Sequence, residues 1–150
     1  MHGRWRRTSV IVVAGAIVTG AFTGPASAAT SASVTTASAS CGKSVAFPGG
    51  DTWSFYPVRK LKFKGRTLWL RNVRATDYSY AYIKSGYRAG DLVTVQRSKD
   101  RGKTKKVCGP FARDHSNQQS NYHVSMRACI GVRVSGALRS DCTDWYYDKD

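Results

Sequence analysis

The chain has 150 residues and carries 24 lysine and arginine residues against nine acidic ones, for a formal net charge of +15. All nine acidic residues are aspartates, and the absence of glutamate excludes the microbial ribonuclease type that pairs a glutamate with a histidine. A basic surface of this kind attracts nucleic acid, anionic cell-wall polymers or an acidic protein partner.

Residues 1–28 have the layout of a secretory signal peptide. Three arginines within the first seven residues precede an apolar run over residues 10–18, and small residues follow up to Ala28, where we expect cleavage. The apolar run is short for a membrane span and no second one follows, so the sequence predicts a secreted protein without a membrane anchor. Cleavage removes three basic and no acidic residues, which leaves a net charge of about +12 on 122 residues.

Residues 29–40 are small and uncharged, and Val34 is the only larger apolar residue among them. Such a segment cannot bury enough surface to offset its ordering entropy, so we predict a disordered tail. One interpretation is a spacer left after processing. The other is a strand donor, in which Ser33, Val34 and Thr35 pair in extended form with the sheet of a partner.

Residues 41–150 are predicted to form an all-β domain, because short alternating runs are broken by turn residues and no long stretch has a helical period. The predicted strands cover residues 52–56, 58–64, 67–73, 78–84, 91–97, 104–108, 122–134 and 137–147. Seven or eight antiparallel strands in about 110 residues are typical of a small β-sandwich.

The run 122–134 is the clearest strand, since its even positions are apolar and its odd positions mostly polar. A two-residue hairpin loop at Ser135 and Gly136 places Cys129 opposite Cys142, which favours a disulfide between them. By elimination Cys41 pairs with Cys108, although the two other connectivities stay open. The same register places Asp141 opposite the apolar Ile130, which suggests a bulge.

A basic stretch follows the predicted start of the sheet. Lys60, Lys62 and Lys64 share one face of a strand, and Arg66 follows closely. Like charges along an exposed strand protect a sheet edge from aggregation, which is one interpretation. The other is a face that binds an anion or an acidic partner.

Tyr78, Tyr80 and Tyr82 form a second stripe with a period of two. These rings can stack on sugars or bases, form the centre of a protein interface, or fill one layer of a sandwich. Near the end of the chain, we predict that Trp145 and Tyr147 pack on one face and that Tyr146 points outward.

No catalytic residue, metal ligand or cofactor is predicted. Asp114 precedes His115 directly, and adjacent residues rarely hold each other in a triad-like geometry; a Gly-x-Ser-x-Gly turn is also missing. A two-histidine ribonuclease using His115 and His123 remains as a third functional hypothesis. The cysteines form no Cys-x-x-Cys pair, and the aspartates near the end do not match a calcium loop.

Three stretches carry a resemblance to known proteins: residues 82–102, which begin with YI and end with GDLVTVQRSKDRG, then RACI at 127–130 and CTDWY at 142–146. They are similar to small secreted actinobacterial four-cysteine β proteins that have a Cys-x-x-Trp-Tyr terminus. One functional group of this general type is the adaptor of umbrella-shaped antibacterial toxin particles, which links a stalk protein to lectin-containing subunits. The resemblance implies a non-enzymatic adaptor whose tail, residues 29–40, enters a partner's cleft.

Our sequence-based expectation is therefore a secreted binding module that links other secreted proteins through its tail and its basic face. The alternative is a cationic protein that binds the cell envelope, with nucleic acid as a less favoured partner.

Overall fold

The structure is a computed structural model that describes residues 41–50 and 54–149. The predicted signal peptide and the tail with Ser33, Val34 and Thr35 lie outside the described residues.

The described residues form nine β-strands in two antiparallel sheets and contain no helix. The strands are β1 Phe55–Phe63, β2 Arg66–Val73, β3 Tyr78–Ser85, β4 Leu92–Ser98, β5 Lys106–Phe111, β6 Gln119–Ser120, β7 Ser125–Val134, β8 Ala137–Cys142 and β9 Tyr146–Tyr147. The four-stranded sheet has the order β1-β2-β3-β6, and the five-stranded sheet has the order β5-β4-β7-β8, with β9 also paired to β7. The predicted all-β, disulfide-stapled sandwich is confirmed. In this part of the chain, no helix is available that could span a membrane.

The hydrophobic core lies between the two sheets, because each strand directs alternate side chains inward. The four-stranded sheet contributes buried side chains from β2 and β3, and the five-stranded sheet contributes those of β4, β5 and β7. These core residues are Leu68, Leu70, Ala81, Ile83, Val93, Val95, Cys108, Met126, Ala128, Ile130 and Val132. The even positions of the clearest predicted strand are thus buried from Met126 to Val132, as the alternation indicated.

Several strand boundaries differ from the prediction. The two predicted strands 52–56 and 58–64 form one strand over the described residues, with a bulge between Pro57 and Arg59. The strand predicted at 104–108 begins two residues later and extends over Lys106–Phe111. The strand predicted to begin at residue 122 begins only at Ser125. The predicted strand 137–147 divides into β8 and β9. The short strand β6 was not predicted.

Both predicted disulfides, Cys41–Cys108 and Cys129–Cys142, are present. Ile130 does lie opposite Asp141, but the ladder runs through this pair without a bulge. The expected conflict does not arise because β8 is an edge strand that is exposed from Ala137 to Asp141, so the carboxylate reaches solvent. Two disulfides are typical of proteins that fold in an oxidising environment.

The packing predicted for the aromatic C-terminal segment is wrong. Tyr146 lies opposite the core residue Met126 in the β7–β9 ladder. Directly opposed residues of an antiparallel pair point to the same side of a sheet. Tyr146 therefore packs against the core, whereas Tyr147 is 39% exposed.

Candidate functional site

The outer face of the four-stranded sheet combines aromatic and basic side chains. Because Leu68 and Leu70 of β2 are core residues, the residues between and beside them point away from the core. The same alternation directs every second residue of β3 outward, and the β1–β2 register adds residues of β1. The outward residues are Lys60, Lys62, Thr67, Trp69, Arg71, Tyr78, Tyr80, Tyr82 and Lys84.

The chain's own segment 43–50 covers part of this face. The carbonyl oxygen of Pro48 accepts hydrogen bonds from Arg71 Nη1 at 2.9 Å and from the Tyr80 hydroxyl at 2.8 Å. The Lys43 backbone pairs with Gln118, and its ammonium lies 4.8 Å from the centre of the Tyr78 ring. The tyrosine stripe thus supports this segment of its own chain.

Tyr80 is fully buried beneath this segment and presents no surface to a partner. Burial raises the pKa of the Tyr80 phenol to about 12, although the adjacent Arg71 guanidinium acts in the opposite direction. Arg71 is itself only 2% exposed, and its Nη2 donates to the carbonyl oxygens of Gly50 and Phe55. We therefore place Tyr80 and Arg71 in the framework of the face.

The uncovered part of the face is centred on Trp69. The ammonium groups of Lys60 and Lys84 lie 5.4 Å and 5.5 Å from the centre of the Trp69 ring system, which is the distance range of cation–π contacts. Both lysines are exposed, as is Lys62 on the same edge strand, while Trp69 is partly buried. We call Lys60, Lys62, Trp69 and Lys84 the Lys–Trp cluster, and it is the candidate site.

The remaining predicted partner-binding residues lie beside the cluster rather than within it. Lys64 is exposed in the turn after β1, where its φ of 48° interrupts the alternation of the strand. Arg66 forms a two-point ion pair with Asp91, at 3.0 Å from Nε and 2.9 Å from Nη2. Tyr82 is partly buried, with its ring centre 5.7 Å from the Arg71 guanidinium. The lysine-rich strand β1 is a sheet edge, as one of the two interpretations expected.

The Trp69 indole offers a test of how the cluster is built. Its Nε1 is buried and has no hydrogen-bond partner among the described residues. An unpaired buried donor costs about 1–3 kcal/mol. Trp69→Phe removes this donor, and the resulting gain should offset the packing that is lost with the smaller ring. We therefore expect Trp69→Phe to change the free energy of unfolding by less than about 1 kcal/mol. Trp69→Ala should cost more, and urea denaturation measures both. Equal losses from the two variants would contradict this account.

Asp114 and His115 are paired despite being neighbours in sequence, with Oδ1 and Nδ1 2.7 Å apart. The His115 backbone bridges to Tyr82, whereas Ser120, three residues before His123, pairs with Tyr78. Tyr78 and Tyr82 are four residues apart on an extended strand, a span of about 13 Å, so the chain lies beside the middle of β3 at His115 and beside its first residue at Ser120.

Sequence reasoning did not single out the charge of residues 97–106, which the structure places at the β4–β5 connection. Six of these ten residues are basic, and that density was readable from the sequence. Among the described residues, no group of three or more His, Cys, Asp or Glu side chains is arranged to hold a metal ion. Comparisons with models of protein families, with curated proteins and with solved structures found no match.

Proposed function

We propose that this protein is a secreted, non-enzymatic binding module that links other secreted proteins. The Lys–Trp cluster docks an acidic surface of one partner, and residues 29–40 attach a second partner. The observation that carries the proposal is the Trp69 ring flanked by two exposed ammonium groups on a sheet face. The setting of an antibacterial toxin particle rests on the sequence resemblance alone.

The composition of the cluster suits a protein interface. Tryptophan is enriched among the residues that carry most of the binding free energy, and a partly buried ring is already held in place before binding. The ammonium groups of Lys60 and Lys84 provide electrostatic complementarity to carboxylates and accelerate the encounter with an acidic partner. Lysines along β1 also oppose strand addition at this edge, which leaves the face of the sheet for contact.

A capture experiment tests the proposal. The mature protein is tagged and used as bait in culture supernatant of the producing organism, and bound proteins are identified by mass spectrometry. We expect Lys60→Glu/Lys84→Glu to reduce recovery of an acidic partner at least tenfold, because it reverses the charge around Trp69. When residues 29–40 are deleted from the bait, a different partner should be lost from the captured proteins, and the acidic partner should still be recovered.

The matched control is Arg133→Glu/Arg139→Glu, which makes the same charge change at two exposed positions of the β7–β8 hairpin. It should recover both partners. With the purified acidic partner, the Trp69 indole N–H resonance should shift in NMR spectra of the wild type. Unchanged capture by the Lys60→Glu/Lys84→Glu bait would exclude the cluster as the docking surface.

A further inference from the structure

We propose that the β4–β5 connection is a binding site for a phosphodiester polymer without aromatic bases, such as a polyol phosphate chain. We call residues 97–106 the basic hairpin. Its six cations are Arg97, Lys99, Arg101, Lys103, Lys105 and Lys106. A cavity of about 440 Å³ opens on it, lined by Arg97, Ser98, Lys99, Thr104, Lys105 and Lys106. This site lies on the other sheet and is independent of the function proposed above.

No cation of the basic hairpin forms an ion pair within the described part of the chain. The Arg66–Asp91 ion pair and the Asp114–His115 contact both lie outside the hairpin. Arg97 and Lys106 lie directly opposite each other in the β4–β5 ladder. Like charges in such a position destabilise a sheet, and an anion bound between them would remove this cost.

The one acidic residue of the hairpin shapes its backbone instead of pairing with a cation. Asp100 accepts hydrogen bonds from the Ser98 hydroxyl at 2.6 Å, the Thr104 amide at 2.8 Å and the Thr104 hydroxyl at 2.7 Å. The bond from Ser98 and then those from Thr104 lower the pKa of Asp100 to about 2, so it stays ionised. The loop is therefore held in one conformation by its own residues, which reduces the ordering cost of binding.

Packing from outside the hairpin also fixes its tip. Gly102 has a φ of +97°, and a Cβ built there would lie 2.5 Å from Trp145 Nε1. The Trp145 ring in turn lies 4.5 Å from the guanidinium of Arg127, which also donates to the Gln96 side chain. The hairpin thus packs against the five-stranded sheet through Gly102, where a larger residue would clash with Trp145.

The lining of the cavity indicates the class of ligand. Four of its six lining residues are lysine or arginine, whose side chains donate charge-assisted hydrogen bonds to phosphate oxygens, whereas the hydroxyls of Ser98 and Thr104 already donate to Asp100. Among the described residues, no aromatic side chain lines the cavity, whereas single-stranded nucleic acid is bound by stacking its bases on aromatic rings. Ammonium and guanidinium donors without a stacking platform favour a polymer that offers phosphates and no bases.

The test measures binding of poly(glycerol phosphate) to the mature protein by calorimetry at several salt concentrations. The variant Lys99→Gln/Lys105→Gln/Lys106→Gln should lose at least tenfold in affinity and show a shallower salt dependence, because fewer counterions are released. The matched control Arg133→Gln/Arg139→Gln/Lys149→Gln removes the same charge from exposed positions elsewhere and should bind within about twofold of the wild type. Backbone amide shifts caused by the polymer should map to residues 97–106.

Two comparison polymers decide the ligand class. An oligodeoxynucleotide and polyglutamate of matched charge should bind more weakly than poly(glycerol phosphate). Tighter binding of the oligonucleotide through the hairpin would reassign the site to nucleic acid, and equal binding of polyglutamate would overturn the phosphate preference. Equal affinity of the hairpin variant and its control would overturn the site itself. Lys60→Glu/Lys84→Glu should keep polymer binding, so failure of one proposal is distinguishable from failure of the other.

Discussion

Replacing Asp91 by alanine should lower the free energy of unfolding by about 3–5 kcal/mol. The Asp91 carboxylate receives two hydrogen bonds from Arg66 and a third from the Arg88 backbone amide at 2.8 Å. The two side chains of the ion pair are only 10% and 3% exposed. Without the carboxylate, the Arg66 guanidinium remains largely buried and uncompensated, which is the costly case for a buried charge. Urea denaturation followed by circular dichroism measures the loss.

Two controls separate the ion pair from a general effect of losing an aspartate. Asp141 is exposed on the edge strand, and Asp141→Ala should change stability by less than about 0.5 kcal/mol. The double variant Arg66→Met/Asp91→Leu removes both charges and should be much less destabilised than Asp91→Ala. If Asp91→Ala were no worse than Asp141→Ala, the pair would not stabilise the fold.

The β7–β8 hairpin was predictable because all of its determinants are local. The side-chain alternation of a strand has a period of two, so the apolar positions from Met126 to Val132 identify the face that meets the core. A two-residue loop then fixes which residues face each other, and this is sufficient to place Cys129 opposite Cys142. The register of the ladder agrees at every pair from Cys129 to Val134.

The environment of the tyrosine stripe was not predictable from alternation. Both faces of β3 are buried at its centre, since Tyr80 and Ala81 are each fully inaccessible to solvent. The cover over Tyr80 is an irregular segment whose attachment depends on hydrogen bonds to Arg71, 23 residues away from Pro48. A loop of this kind has no periodicity, so its position follows only from tertiary contacts.

The candidate site was predictable only in part for a related reason. The lysines of β1 stand out as a charge pattern, but Trp69 joins them through the β1–β2 register and Lys84 through the neighbouring strand. Arg66 belongs to the same basic stretch, yet its guanidinium is engaged by a carboxylate 25 residues later. Charge patterns locate basic residues, whereas the partners that engage them are set by the fold.

Removing the Cys41–Cys108 disulfide should have a large effect that is visible at a distance from the cysteines. The crosslink closes a loop with a sequence separation of 67 residues, for which the chain-entropy model gives roughly 4 kcal/mol. It also fixes the start of segment 43–50, whose Pro48 carbonyl covers Tyr80. We expect Cys41→Ser/Cys108→Ser to loosen this segment as well as lower the free energy of unfolding.

The readout for the segment is the ionisation of Tyr80. Its pKa is raised from 10.0 to about 12, so its contribution to stability is complete below pH 10 and is lost as the pH rises toward 12. In the folded Cys41→Ser/Cys108→Ser variant, water reaches the phenol and the pKa should fall toward 10. Absorbance at the tyrosinate band follows the titration, and Tyr80→Phe in the wild-type background identifies the step that belongs to this residue.

The control is Cys129→Ser/Cys142→Ser, which opens a loop with a sequence separation of 13 residues at the far edge of the other sheet. It should lose about 3 kcal/mol by the same model but leave the high-pH ionisation of Tyr80 in place, because segment 43–50 stays tethered. Circular dichroism confirms that each variant is folded before titration. A Tyr80 ionisation that stays near pH 12 after loss of the Cys41–Cys108 disulfide would show that Arg71 and Pro48 hold the segment without it.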